Sequence, residues 1–153
     1  MSKLKVGLLF SGQGAQKTGM GEELYQQNAT YKAAIDQASQ TLDIDLPKLY
    51  FDSSAADQLF ETRFTQPAIV AMSCALYEVV KEQLPTVVAG IGLSLGEYSA
   101  LATSGFMTTA QALKLVQLRG RLMQQASDAQ PSKMVAIMNT PIEMIQEACD
   151  AAK

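Results

Sequence analysis

The stretch Val87-Val88-Ala89-Gly90-Ile91-Gly92-Leu93-Ser94-Leu95-Gly96-Glu97-Tyr98-Ser99-Ala100 starts as a β-rich apolar run. It crosses one serine set between two glycines and continues with helical character. Strand, tight turn and helix in that order form the setting of a nucleophile elbow, in which the turn thrusts a serine hydroxyl into a cleft. At such a helix start, the positive end of the helix dipole and the free N–H groups favour a developing oxyanion. The same residues also admit a purely structural reading. Ser94-Leu95-Gly96-Glu97 fits a capping box, with Ser94 as the cap and Glu97 folding back onto it. The two readings are compatible, because an elbow serine itself sits at a helix start. Ser94 is therefore a candidate nucleophile for acyl transfer, in a chain that contains no histidine to partner it.

Around this turn, strand and helix patterns alternate. Lys5–Phe10 reads as a short buried strand, and Ser11-Gly12-Gln13-Gly14 as a glycine turn after it. Ala29–Leu42 reads as a helix with Tyr31, Ala34, Ile35, Ala38 and Leu42 on one side. Pro47 and Asp52-Ser53-Ser54 break residues 46–65 into short turns. Pro67 suits the first turn of a helix over 67–83, with Ile69, Met72, Leu76, Val79 and Val80 as its inner stripe. Residues 87–92 give a second strand, and helices are expected over 95–104 and 109–127. The pattern restarts after Pro131, with a strand over 133–138. A capping box at Thr140-Pro141-Ile142-Glu143 then opens a helix to 152. Strands separated by helices point to an α/β fold with a parallel sheet. Two strands in the first 130 residues are few for a covered sheet, so the chain reads as one domain or half of a larger one.

Composition narrows the function classes. Net charge is −3 without a Lys/Arg run, which gives no footprint for nucleic acid. The apolar start is too short and too soon interrupted for a signal peptide, and no stretch approaches a membrane span. Cys74 and Cys149 are isolated, so no disulfide framework is expected. Nor is a metal site or a bound cofactor expected. The expectation is a soluble, cytoplasmic protein.

Two further features bear on chemistry. At about 100° per residue, Ala112, Leu115, Val116, Leu122, Met123 and Ala126 fall within about 60° of Arg119, while Lys114, Gln117, Arg121 and Gln124 fall opposite. Arg119 thus stands in an apolar stripe, where a guanidinium is costly unless an anion meets it. That anion is either a structural carboxylate or a substrate carboxylate held by a two-pronged hydrogen bond. The loop Phe10-Ser11-Gly12-Gln13-Gly14-Ala15-Gln16 lacks the Gly-Lys-Ser/Thr of a phosphate loop and the third glycine of a dinucleotide fingerprint. It reads as a plain turn, or as a place where backbone N–H groups approach a ligand.

Taken together, the chain resembles the N-terminal half of the malonyl-CoA:acyl carrier protein transacylase family. The resemblance rests on F-x-G-Q-G-x-Q at 10–16, T-Q-P-A at 65–68, G-x-S-L-G-E-Y-S-A-L at 92–101 and Q-L-R-G-R-L-M-Q at 117–124. It implies the α/β class, with residues 1–130 as part of an α/β-hydrolase-like large subdomain and 131–153 as the truncated start of a ferredoxin-like small subdomain. It further implies Ser94 as nucleophile, the backbone N–H groups of Gln13 and Leu95 as oxyanion hole, and Arg119 as the grip on the malonyl carboxylate. Met123 would line the acyl pocket, with Gly12 and Gly14 in the substrate-binding loop. Malonyl-CoA would be the substrate and acyl carrier protein the acceptor, in a ping-pong reaction. The family's catalytic histidine would lie in a complementing C-terminal half. The chain departs from the family pattern at Leu93, where a histidine normally precedes the nucleophile. Two other classes remain open: a non-catalytic paralogue that binds malonyl-CoA, carrier protein or a partner chain, and a serine hydrolase or thioesterase.

Overall fold

The computed structural model describes residues 4–130 and 137–152. Strand β1 (Lys5–Phe10) lies parallel to β2 (Thr86–Gly92), with Leu9 opposite Ile91 and an irregularity between Val6 and Gly7. Parallel neighbours require a long crossover. Here it is a run of helices: α1 (Glu22–Gln27), α2 (Ala29–Leu42), α3 (Leu46–Phe51), α4 (Ala56–Phe60) and α5 (Thr62–Val80). After β2 come α6 (Gly96–Thr103), α7 (Thr109–Ala129) and α8 (Ile142–Ala151). The mixed α/β class with a parallel sheet is as the sequence indicates. The strand expected over 133–138 falls largely on 131–136, outside the described residues.

Local chemistry sets several boundaries. The Asn28 side chain accepts from the Tyr31 N–H at 2.9 Å and starts α2, whose buried residues are Tyr31, Ile35, Ala38 and Leu42. Thr108 and Gln111 form a reciprocal capping box on α7. The capping box expected at Thr140 is absent: Pro141 occupies the cap position of α8, and the Thr140 hydroxyl donates to the Met138 carbonyl instead.

The core lies among α2, α3, α4, α5 and α7, joined by Leu95 at the cap of α6. Helix α5 begins five residues earlier than Pro67 suggests and ends at Val80, followed by a 3-10 turn at Lys81–Gln83. Its buried face is Thr65, Gln66, Ala68, Ile69, Val70, Ala71, Cys74 and Ala75, whereas Met72, Leu76 and Val79 are only half-buried and Val80 is exposed. Ala68, Ala71, Cys74 and Ala75 on this face are small and let neighbouring helices approach closely. Gly120 of α7 serves the same contact. A methyl there would stand 2.9 Å from the Thr62 carbonyl oxygen and 3.2 Å from Arg63 Cα.

One expectation about the sheet is corrected. Strand β1 is not buried but alternates between exposed and half-buried residues. Helix α6 covers one face, where Phe10 and Ala100 meet across Gly90. On the other face Leu9 and Ile91 stay 82% and 62% exposed. A parallel sheet becomes buried only when both faces are covered.

Candidate active site

The turn between β2 and α6 forms because two glycines allow the backbone to double back. A Cβ on Gly92 would run into the backbone of Gly96 and Glu97, and one on Gly96 would run into the Phe10 carbonyl at the end of β1. The Gly96 N–H closes the turn on the Leu93 carbonyl at 3.0 Å. Between them Ser94 takes φ +52°, a left-handed conformation that costs a non-glycine residue free energy. This is the sharp strand-to-helix turn that the sequence indicates.

The capping-box reading of Ser94 is corrected. Leu95 occupies the cap position of α6 and no side chain caps that helix. The left-handed turn directs the Ser94 hydroxyl to α7, where its Oγ accepts from Arg119 Nη2 at 2.9 Å. Ser94 is solvent-exposed, as is Leu93 before it, while the Leu95 side chain is buried.

Arg119 lies at the edge of the buried stripe of α7, not in its middle. The buried residues there are Ala112, Leu113, Val116 and Gly120, centred about a quarter turn from Arg119. Leu115, Leu122 and Met123 are 48%, 53% and 37% exposed. Gly120 is the reason, since its close contact with α5 rotates the helix. Gln117 and Gln124, on the side of the wheel opposite Arg119, reach the Leu42 carbonyl at 2.6 Å and the Thr62 N–H at 3.0 Å. The guanidinium is half-buried, with the Tyr98 ring centroid 5.8 Å away. Among the described residues no carboxylate pairs with it; the ion pairs are Lys32–Asp36, Arg63–Glu61 and Lys81–Glu78. Of the two anions weighed for Arg119, the structural carboxylate is not found among the described residues.

Its second partner is a neutral amide. Arg119 Nη1 donates to Gln66 Oε1 at 2.8 Å. Gln66 has no exposed surface, and its Nε2 lies 3.2 Å from both Gln13 Oε1 and Met123 Sδ. Gln13 Nε2 in turn donates to Thr62 Oγ1 at 3.1 Å. Gln13, Ser94, Arg119 and Met123 are thereby brought into one connected cluster. Gly12 borders it, because a methyl on Gly12 would stand 2.9 Å from the Leu93 carbonyl oxygen. Gly14 does not join; it takes φ +107° and its N–H donates to Gln16 Oε1 at 2.8 Å within its own loop. Among the described residues, the N–H groups of Gln13 and Leu95 donate to no protein acceptor.

Gln66 is the residue whose part in this cluster the sequence reading missed. The T-Q-P-A motif held it in view, yet a polar residue before a proline reads as loop. Separately, a groove of about 760 Å³ runs between α2, α5 and α7 over Cys74, and none of the cluster residues lines it.

Known proteins share this arrangement of chain. The family model described as "Acyl transferase domain" matches residues 8–152. A malonyl CoA-acyl carrier protein transacylase of Haemophilus influenzae is 40% identical over 151 residues, covering 97% of this chain and 48% of that protein. The crystal structure of MCAT from Streptococcus pneumoniae aligns with a TM-score of 0.81 at 46% identity, over 97% of this chain and 48% of that one. The malonyl-CoA:acyl carrier protein transacylase of Helicobacter pylori aligns with a TM-score of 0.85 at 34% identity, over 98% and 48%. The chain spans about half the length of the curated relatives it matches.

Proposed function

We propose, for a chain that belongs to the acyl transferase domain family, that it carries the nucleophile and the acid-recognition half of a malonyl transfer site. Ser94 Oγ attacks the thioester carbonyl of malonyl-CoA, the coenzyme A thiolate leaves, and the serine proton passes to a base. The N–H groups of Gln13 and Leu95 receive the oxyanion, aided by the N-terminal dipole of α6. Arg119 holds the free carboxylate through its two Nη donors. Met123 borders the acyl group, and Gly12 and Gly14 shape the loop that approaches the substrate. The phosphopantetheine thiol of acyl carrier protein then takes the malonyl group from Ser94. The setting proposed is cytoplasmic; among the described residues no helix is long and apolar enough to cross a membrane.

The observation that supports this reading most is the 2.9 Å contact between Arg119 Nη2 and Ser94 Oγ, made by a guanidinium that pairs with no carboxylate among the described residues. A cation left without a counter-charge beside a nucleophile suits an acyl group that ends in an anion. The base is no residue of this chain's histidines, for it has none. We assign it to the polypeptide corresponding to the half of the relatives that this chain does not cover.

External imidazole tests the assignment. Incubated with malonyl-CoA and imidazole, the wild-type chain is expected to gain one malonyl group by intact mass, and Ser94→Ala is not. Absence of any gain in the wild type, or an equal gain in Ser94→Ala, would overturn the serine acyl-enzyme.

A further inference from the structure

The glutamine of the T-Q-P-A motif, Gln66, is wholly buried against the candidate site and has no part in the proposed chemistry itself. We propose that Gln66 is a positioning residue that determines acyl selectivity: it orients Arg119 without neutralising it, and fastens the Gln13 loop to the same helix face. The selectivity part rests on the malonyl-transfer reading above; the positioning part stands on the hydrogen bonds alone.

The orientation of the amide follows from its partners. Oε1 accepts from the Arg119 cation at 2.8 Å, while the NH2 group faces Gln13 Oε1 and Met123 Sδ at 3.2 Å each. Flipping the amide would set its donors against the guanidinium and its oxygen against an oxygen and a sulfur. Gln66 is therefore held in one orientation, and Arg119 Nη1 with it. The Nη2 side of the same planar group is left to reach Ser94.

The choice of glutamine matters as much as its geometry. Glutamate has nearly the same shape but would place a full negative charge on Arg119. At the buried position of residue 66 that charge would compete directly with a substrate carboxylate for the guanidinium. An amide supplies the hydrogen bond and leaves the positive charge available. The helix adds a second function. Thr62 and Gln66, four residues apart on one face of α5, both hold the Gln13 side chain. One helix face thus sets the loop bearing the proposed oxyanion donor and the group proposed to grip the acid.

The test compares malonyl-CoA and acetyl-CoA binding by calorimetry on the full chain, with Gln66→Glu, Gln66→Met and Gln13→Ala, the last at an exposed position that does not threaten the fold. The wild type is expected to prefer malonyl-CoA. Gln66→Glu should lower that preference by roughly ten- to hundredfold, the span of one hydrogen bond to a charged group, with acetyl-CoA affinity little changed. Gln66→Met and Gln13→Ala should lower it by smaller factors. A purely structural role would instead weaken both ligands together. Side-chain NMR of labelled arginine supplies a second readout: slow rotation of the Arg119 guanidinium in the wild type, and averaging in Gln66→Met and Gln13→Ala. Gln66→Glu keeping the malonyl preference overturns the selectivity role. Unchanged Arg119 signals in both other variants overturn the positioning role. If the wild type shows no malonyl preference while Arg119 still responds to Gln66, the positioning stands and the malonyl reading falls.

Discussion

Replacing Ser94 by glycine and, separately, by alanine isolates the backbone strain of the turn. Both variants lose the hydroxyl and its contact with Arg119 Nη2 equally, so that contribution cancels in the comparison. What remains is the left-handed φ of +52°. An alanine there carries the Cβ penalty of about 1–2 kcal/mol that serine also bears. Glycine escapes it but gains freedom in the unfolded chain, which offsets about 0.4–1 kcal/mol. The net expectation is that Ser94→Gly is more stable than Ser94→Ala by about 0.5–1 kcal/mol. For a chain of this size that is about 2 °C in Tm. Urea unfolding followed by circular dichroism reads the difference as a shift in midpoint at unchanged slope. The side chain is exposed, so packing adds little to either value. If Ser94→Ala equals or exceeds Ser94→Gly in stability, the serine is not held in a strained turn. The elbow would then be an ordinary helix start, and the argument for a nucleophile from the strained turn would fail.

Tyr31 and the two thiols provide independent checks of the core. The Tyr31 hydroxyl is buried with no hydrogen-bond partner among the described residues, and burial pushes its pKa up to about 12. Tyr31→Phe should stabilise the chain by about 1 kcal/mol, because an unsatisfied buried hydroxyl costs more than the contacts it makes. The sign in alkali follows from the same shift. The phenol is neutral in the folded state to about pH 12 but ionises near 10 when unfolded, so stability is full below pH 10 and falls as pH rises towards 12. Tyr31→Phe should lessen that alkaline loss, and equal losses in both proteins would refute the assignment. Cys74 is buried, with its thiol raised to about 11 chiefly by desolvation, and Cys149 is exposed. A thiol reagent at pH 8 is therefore expected to titrate one cysteine in the native chain and two in denaturant; rapid native labelling of both would contradict the packing of α5.

How much of this was legible depended on whether a feature is local or assembled. The bounds of α2 followed from periodicity alone, and the elbow from glycine spacing around Ser94. Both are set within a few residues of chain. Pro67 marks an opening signal in the sequence, whereas the helix begins at Thr62 and carries the proline in its second turn. Thr65 and Gln66 precede that proline and fall outside the expected helix, yet Thr65 donates to the Leu59 carbonyl at 2.6 Å and Gln66 finds its partners on other elements. The face of α7 was misplaced for a related reason. A hydrophobic wheel gives no weight to glycine, although Gly120 is the point of closest contact with α5. Arg119 was picked out as an arginine needing an anion, and that need survives, since its partners are an amide and a hydroxyl. The argument from the middle of the stripe does not.

The division of chemistry across the site follows from these contacts. Recognition of an acid and polarisation of a carbonyl both need donors fixed before the substrate arrives, because preorganised donors cost no rearrangement during the reaction. Here the donors proposed for those tasks are fixed by long-range contacts within the chain: Gln66 and Thr62 from α5 hold Arg119 and the Gln13 loop after β1. The assembly carries local penalties, namely a strained serine and a guanidinium with no carboxylate partner among the described residues. Such penalties persist only where surrounding packing over-determines them. The contact of α5 with α7, tightened at Gly120 and bridged by Gln124 to Thr62, supplies that packing. Proton transfer from Ser94 is a separate task, and no hydrogen bond among the described residues receives the serine proton. The arginine donates to that oxygen, so it can orient the hydroxyl but cannot accept its proton. The chain therefore supplies the orienting and electrostatic part of the proposed reaction, and the acid–base part has to come from a group that approaches the exposed side of Ser94.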